Sequence, residues 1–310
     1  MAGRTTRVRL FGPTSVVGAG SPERAVHLVG KHGRILALLA LELGHPVPKD
    51  RLAELVWDGR PPPSYRQALD SDVCVLRRKA ELGPGRTSAL ATTPSGYVLD
   101  ADRVGVDLTE ARAHVGRACR ERAALALADA DAALALSDRG RLLEDEPYAA
   151  WAEQARVGWS VCATRLHVCA SRAALAVGDP DRGVRHATEA VTHDPVSETA
   201  VAQLMRALWW DGRRAEAVHA YSCLRRRMLD DLGEEPGPAT EQLFLTILRD
   251  EGGPRAAADP TTQIQLALRL LRETLDRTPG TRPPELDAEL SLAAAAALTG
   301  ERRPGPAPVR

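Results

Sequence analysis

Aromatic residues are scarce in this sequence, and its cysteines form no paired motif. Phe, Trp and Tyr make up 4% of the 310 residues, and the five cysteines include no Cys-x-x-Cys pair. An odd number of scattered cysteines argues against a disulfide framework and favours buried thiols in a reducing compartment. No apolar run approaches the about 18 residues of a membrane span, and the start carries no signal-peptide pattern. We therefore predict a cytoplasmic protein that does not contact a membrane.

The sequence also lacks the motifs by which many enzymes hold phosphate or metal. Gly30 and Lys31 look like the end of a phosphate-binding loop, but Ala25 and His32 occupy the positions where that motif needs a glycine and a hydroxyl. The eight histidines show no metal-ligand spacing, and His167 falls in a stretch whose pattern is that of a buried helix. We predict a protein that is not an enzyme and needs no cofactor or metal.

A zero net charge conceals an uneven distribution of charge. Residues 1–100 contain 14 Lys and Arg against 9 Asp and Glu, which leaves 27 and 32 for the rest of the chain. A basic front on an acidic remainder indicates a polyanionic partner for the front alone.

The most informative stretch is 64–82, SYRQALDSDVCVLRRKAEL. At about 100° per residue it forms a helix with a narrow apolar stripe, composed of Leu69, Val73, Leu76 and Ala80. Small polar groups and a cation lie on the opposite side, at Gln67, Ser71, Cys74 and Arg78. Further cations flank the stripe, at Arg66, Arg77 and Lys79. This layout is typical of a helix that enters a DNA groove, and the alternative is a surface helix whose charges are only solvated.

Short elements surround this helix in a definite order. Alternating and β-branched runs predict strands over 6–11, 14–17 and 25–29, and apolar spacing predicts helices from Lys31 to a stop at Gly44 and over 49–57. Ser64 is the expected N-cap of the third helix. Residues 90–93 and 97–99 then predict a β-hairpin around Pro94-Ser95-Gly96.

This order, with the segments LALLALELGHPVPKDRLAELVWDG, DVCVLRRKAEL and TPSGYVL, resembles the winged-helix domain of OmpR/PhoB-type transcription factors. It is most similar to the version found in the Streptomyces antibiotic regulatory protein family. The resemblance implies that the third helix enters the major groove of double-stranded DNA and that the hairpin, or wing, reaches the adjacent minor groove.

Site roles follow from the same resemblance. The residues expected to face bases are Gln67, Ser71, Cys74 and Arg78. The residues expected to hold phosphates are Arg66, Arg77 and Lys79, and the wing residues expected at the backbone are Thr92, Thr93 and Ser95, with Gly96 permitting the turn. Two alternatives are structural: Tyr97 packs under the hairpin, and Arg77 pairs with a carboxylate such as Glu54.

The rear of the chain is alanine-rich and helical. Helices are predicted over 108–117, 122–136 and 151–177, and residues 178–191 then align with 212–225. The step of 34 from Gly178 to Gly212 is the period of tetratricopeptide repeats. Leu229 stands where the first unit has Pro195, so the second unit should continue as a longer helix through Leu232. Trp209 and Trp210 are expected to pack between repeats, the alternative being a partner-binding role.

The segments DPVSE, GRRAEAVHAY and DLGEEPGPATEQL resemble the bacterial transcriptional activation domain that follows the winged helix in the same family. We therefore predict a mainly α fold, with an α+β winged-helix domain over 1–104 and an all-α tetratricopeptide-like solenoid over 105–250. Residues 251–310 should form a linker, amphipathic helices such as 263–277, and a disordered end.

The predicted function is sequence-specific transcriptional activation. The resemblance implies target genes in a secondary-metabolite cluster, repeated promoter sites, a homodimer on DNA and contact with RNA polymerase. Two alternatives remain open at this point. One is a repeat-protein adaptor, and the other is a regulator whose solenoid groove binds a small metabolite.

Overall fold

The computed structural model describes residues 6–18, 25–83 and 88–249, which contain seven strands and ten helices. The strands are β1 Thr6–Arg9, β2 Ser15–Val17, β3 Ala25–His27, β4 Val47–Pro48, β5 Leu90–Thr92, β6 Gly96–Leu99 and β7 Val104–Val106. The helices of the front half are α1 Gly30–Leu41, α2 Lys49–Val56 and α3 Tyr65–Lys79. The remaining helices are α4 Asp107–Ala118, α5 Ala123–Ser137, α6 Ala150–Ala176, α7 Pro180–His193, α8 Glu198–Trp210, α9 Arg214–Leu232 and α10 Pro238–Arg249. The predicted tail over 251–310, with its helix over 263–277, lies outside the described residues.

The first sheet has the strand order β3-β2-β1-β7. Its three predicted strands are confirmed and pair antiparallel, with Val8 opposite Val16 in β1 and β2. β7 joins β1 in parallel and places Val106 opposite Val8. Sequence reasoning missed β7 because a three-residue strand has little periodicity of its own and its partner is distant in the chain.

A three-helix unit and a second sheet complete the front half. β4, β6 and β5 form this sheet in that order, and β5 with β6 is the predicted hairpin. β4 was missed because it is two residues long and ends in Pro48, which resembles a turn. Ser64 occupies the N-cap position of α3, but its side chain makes no capping hydrogen bond, since its backbone (φ −90°, ψ 20°) is outside the extended region that a capping residue adopts. The predicted side-chain cap is therefore wrong.

The 34-residue repeat is visible in the backbone. Gly178 and Gly212 both have a φ of 80°. Each comes just after the end of a helix, Gly178 after α6 and Gly212 after α8. Gly183 and Ala217, also 34 positions apart in the sequence, are both buried in helix packing. The second unit does continue to Leu232 as α9, as predicted.

One apolar core runs through both halves of the molecule. It begins at Val8 in β1 and continues without a break to Ala174 near the end of α6. A second core lies among α7 to α10, around Met205 and Tyr221. Trp209 packs against this second core, whereas Trp210 stays 39% exposed, so only one of the two tryptophans packs as predicted.

Cys119 and Cys169 form a disulfide, which corrects the expectation of thiols at these positions. The two residues are 50 positions apart, and the packing of α4 on α6 brings their Cα atoms to 5.3 Å. Spacing in the sequence carries no sign of such a pair. Cys74, Cys162 and Cys223 are free thiols. Within the described residues, no helix combines the length and apolarity that a membrane crossing requires.

Candidate nucleic-acid interface

Helix α3 presents the polar face that its sequence predicts. Its apolar stripe is buried, with Leu69, Val73 and Leu76 fully inaccessible to solvent. The four residues assigned to bases are all exposed, at Gln67, Ser71, Cys74 and Arg78. α3 packs against α1 and α2, which hold its inner side while the outer side is open. The helix therefore offers small polar groups and one arginine on a single accessible surface.

The first turn of α3 carries a charged cluster. Asp50 on α2 accepts hydrogen bonds from the Tyr65 hydroxyl at 2.6 Å and from the Arg66 guanidinium at 3.2 Å. The Tyr65 hydroxyl and Arg66 hold the pKa of Asp50 below its usual range. Arg66 is exposed, and its ion pair with Asp50 orients its guanidinium.

Arg77 serves the fold as well as the surface. Its Nε donates to the Leu90 carbonyl at 2.9 Å and its Nη2 donates to the Thr92 hydroxyl at 2.8 Å. These bonds join the end of α3 to β5, and Arg77 therefore does not form the alternative predicted for it, an ion pair with Glu54. Arg77 and Thr92, both predicted at the DNA backbone, are thus already bonded to each other.

Arg78 and Lys79 are different, because both are exposed at the end of α3. Within the described part of the chain, neither side chain has an ion pair or a hydrogen bond. The charge of a cation without a nearby carboxylate is not neutralised within the protein, so it is fully available to attract a polyanion. These two residues therefore provide uncompensated positive charge on the α3 surface.

The tip of the wing is a tight turn closed by its own side chains. The amide of Gly96 donates to the Thr93 hydroxyl at 3.0 Å, and the Thr93 amide donates to the Gly96 carbonyl at 2.9 Å. The Ser95 hydroxyl lies 3.4 Å from that of Thr93 and is exposed. Thr93 and Ser95 thus lie on a turn that is closed by its own hydrogen bonds.

Gly96 is needed for a reason other than the predicted one. Its φ is not in the left-handed region, so the turn itself does not demand glycine. A Cβ at this position would lie 1.8 Å from the Val47 carbonyl oxygen. Glycine is required because β4 approaches β6 so closely.

Sequence reasoning missed a polar cluster between the wing and α3. Lys49 Nζ donates to Asp70 at 2.7 Å and lies 5.3 Å from the centre of the Tyr97 ring, and the Tyr97 hydroxyl also donates to Asp70. Lys49 and Tyr97 lower the pKa of Asp70. The Tyr97 ring is buried beneath the hairpin, which confirms its predicted structural role. The only sign of this cluster in the sequence is the rarity of lysine, since Lys49 is one of three lysines.

The two halves of the chain match two known families. A family described as "Transcriptional regulatory protein, C terminal" matches residues 23–99, and one described as "Bacterial transcriptional activator domain" matches residues 106–248. The α3 surface, the wing and these matches define a DNA-binding transcriptional regulator with an activator domain.

Relatives described as regulatory proteins match most of the chain. Regulatory protein DnrI of Streptomyces peucetius is 28% identical over 81% of this chain and 97% of its own length. Transcriptional regulator RedD of Streptomyces coelicolor is 26% identical, over 86% of this chain and 75% of its own. The chain is thus similar over most of its length to regulators of the Streptomyces antibiotic regulatory protein type, which is the resemblance that its motifs indicate.

A solved structure has the same architecture. Mycobacterium tuberculosis EmbR, in complex with a low affinity phosphopeptide, superposes with a TM-score of 0.69 at 25% identity, over 86% of this chain and 71% of that one. The predicted fold, a winged helix followed by an all-α domain, is therefore confirmed.

Proposed function

We propose that this protein activates transcription by docking α3 in the major groove of promoter DNA, with the wing on the adjacent minor groove. One observation carries the proposal: a single exposed face of α3 holds Gln67, Ser71, Cys74 and Arg78, and a hydrogen bond from Arg77 to Thr92 joins the wing to the same helix. Arg66, Arg78 and Lys79 supply positive charge along it. Arg78 is the one residue of this face with the fork geometry that reads guanine, and Gln67 is able to read adenine.

Phosphate contacts and base contacts divide within this set. Lys79 is a point charge without a local partner, so it acts on the DNA backbone. Arg78, one position before it, faces the same way as Ser71 and Cys74 and acts on base edges. Arg77 and Thr92 hold the wing against α3. The side-chain atoms that these bonds leave accessible contact phosphate.

The activator domain supports the rest of the proposed mechanism. We place the protein in the cytoplasm, together with the promoter DNA. We further propose that it binds repeated sites as a homodimer and that its helical half contacts RNA polymerase. Similarity to these regulators supports target genes in a secondary-metabolite cluster. The chain combines a DNA-binding surface in its first half with a helical domain in its second half. This combination favours recruitment of RNA polymerase to a promoter over an adaptor role.

A gel-shift titration tests this assignment. Purified protein is titrated onto fragments from its own genomic neighbourhood at two salt concentrations, with an excess of nonspecific DNA. We expect Lys79→Ala to weaken binding to all DNA and to lower the salt slope by roughly one unit, since one phosphate contact is lost. Arg78→Ala should instead lose discrimination between the promoter fragment and nonspecific DNA.

The matched control is Arg185→Ala, which removes an exposed cation from α7 and should change neither quantity. An unchanged salt slope in Lys79→Ala would remove that residue from the phosphate contacts. Absence of any retained shift with the wild-type protein would overturn the DNA-binding assignment and favour the adaptor.

A further inference from the structure

Arg34 on α1 lies where the two halves of the molecule meet. Its Nε and Nη2 donate to the two carboxylate oxygens of Glu146 at 2.8 and 2.7 Å, in the bidentate geometry that makes such pairs strong. Its Nη1 donates to the Val56 carbonyl at 3.2 Å and to both oxygens of Asp58 at 3.0 Å. One guanidinium thus connects the helical half to the turn that follows α2.

Glu146 belongs to the loop between α5 and α6, and hydrogen bonds from Arg156 connect that loop to α6. Only 10% of the Glu146 side chain is exposed. Its backbone carbonyl accepts hydrogen bonds from both terminal nitrogens of Arg156, each at 3.3 Å. Arg156 also donates to the carbonyls of Leu142 and Leu143. The loop, and the carboxylate on it, therefore follows the position of α6.

On the other side of Arg34, the connection from α2 to α3 has little freedom. Asp58 and Gly59 both have a positive φ, of 51° and 79°, and the Gly59 amide donates to the Glu54 carbonyl at 2.8 Å. Three consecutive prolines at 61–63 then restrict φ further. The Tyr65 amide donates to the Pro62 carbonyl where α3 begins. The position of the end of α2 therefore determines the position of the start of α3.

We infer that Arg34 and Glu146 are positioning residues for DNA recognition, through which α6 of the activator domain sets the orientation of α3. Neither residue lies on the α3 surface, and Arg34 acts through Val56 and Asp58. The inference rests on the proposed function, since it assumes that α3 reads DNA. Its consequence is that a residue of the helical half controls the sequence preference of the winged helix.

Glu146→Gln in the full chain tests this assignment, because it keeps the size of the side chain and removes its charge. We expect specific affinity for the promoter fragment to fall roughly tenfold, within the usual range of coupling between sites. Nonspecific affinity should hold, because the phosphate-binding cations are untouched. Glu144→Gln is the matched control, since it makes the same charge change at an exposed position of the same loop.

Amide hydrogen exchange supplies a second readout that a loss of global stability would not reproduce. In Glu146→Gln the amides of Gly59 and Arg60, which are hydrogen-bonded in the turn, should exchange faster, while the amides within α6 remain unchanged. Arg34→Gln should accelerate the same amides, and the double variant should add little to either single change.

Each outcome decides the inference. Equal loss of specific and nonspecific affinity in Glu146→Gln, or no loss at all, overturns it. If the wild-type protein binds no promoter fragment, the proposed function fails on its own. Exchange at Gly59 and Arg60 then still decides the mechanical link, and unchanged exchange in Glu146→Gln overturns that link.

Discussion

The two larger apolar cores of this protein differ in what they join. The first extends from β1 to α6 and contains aliphatic side chains of both the winged helix and the activator domain, such as Leu36 and Leu166. The second is confined to α7 to α10 and is built around Met205, Tyr221 and Leu224. The boundary between families, near residue 105, therefore crosses the middle of a core. Between the two larger cores, a third small cluster of Val168, Ala190 and Ala200 joins α6, α7 and α8.

Polar and aromatic contacts also connect the winged helix to the activator domain within the first core. The fully buried Asp107, at the start of α4, accepts backbone hydrogen bonds from Leu10, Phe11 and Leu108. The Phe11 ring meets the Trp159 ring edge-on at 5.0 Å. The winged helix and the first part of the activator domain thus share one core, and the rest of the activator domain forms the smaller second core.

The largest expected effect is at Asp107. Burial raises the pKa of this carboxyl, while its three backbone donors act in the opposite direction. Asp107→Ala leaves those donors unsatisfied inside the first core, and each unsatisfied donor costs about 1–3 kcal/mol, so we expect a loss of about 4 kcal/mol in the free energy of unfolding. Urea titration followed by tryptophan fluorescence and circular dichroism measures it. Asp102→Ala, on the surface, is the control, and separate unfolding of the two halves would contradict a shared core.

The next effect concerns the Cys119–Cys169 disulfide, which joins two helices of the first core. Cys169→Ser should lower the free energy of unfolding by about 2–4 kcal/mol under oxidising conditions, because the cross-link restricts the unfolded chain. The same measurement with reductant should bring the wild-type protein to the level of the variant. Cys223→Ser, at a free thiol, should behave like the wild type in both conditions. A wild-type protein indifferent to reductant would show that the pair is not bonded in solution.

A smaller effect depends on pH and arises where the first core meets α7. Burial, and then the neighbouring His186 and His193, lowers the pKa of His167 to about 4 from 6.5. The unfolded chain binds this proton at a higher pH than the folded protein does, so stability is lost as the pH falls from about 6.5 towards 4. We expect a loss of about 2 kcal/mol between pH 7 and pH 5, measured by urea titration at each pH.

His167→Gln should weaken this dependence on pH, and His186, whose pKa is also lowered by burial, should account for what remains. His45→Gln is the control, because His45 is exposed. If His167→Gln kept the full pH dependence, another group would be responsible for it.

The smallest effect tests the repeat. Gly178 and Gly212 have the same left-handed φ of 80° and no neighbour within 4 Å of an added Cβ. Gly178→Ala and Gly212→Ala should each cost about 1 kcal/mol from backbone strain alone. Gly212→Asn should cost less, since asparagine tolerates this conformation. Thermal unfolding compares the variants, and clearly unequal costs for the two alanine variants would mean that the repeats are not equivalent.

Local pattern alone determined most of the elements and the composition of the α3 surface. The apolar stripe at Leu69, Val73 and Leu76 specifies which side of α3 is buried, so the exposed set follows from helical geometry without knowledge of the rest of the fold. The 34-residue step likewise predicts that α7 and α9 are equivalent, because each helix pair repeats the same local packing problem. The wing follows from its turn residues, Pro94-Ser95-Gly96.

Only the tertiary structure decided which distant groups meet. The β1–β7 pairing, the Cys119–Cys169 bond, the Asp70–Lys49 pair and the Arg34–Glu146 pair each join segments that are far apart in sequence. No periodicity records such contacts, because they depend on how whole elements pack and not on the preferences of neighbouring residues. For the same reason the sequence placed a domain boundary near residue 105, where the backbone changes from strands to helices, although the core that stabilises both halves passes through it.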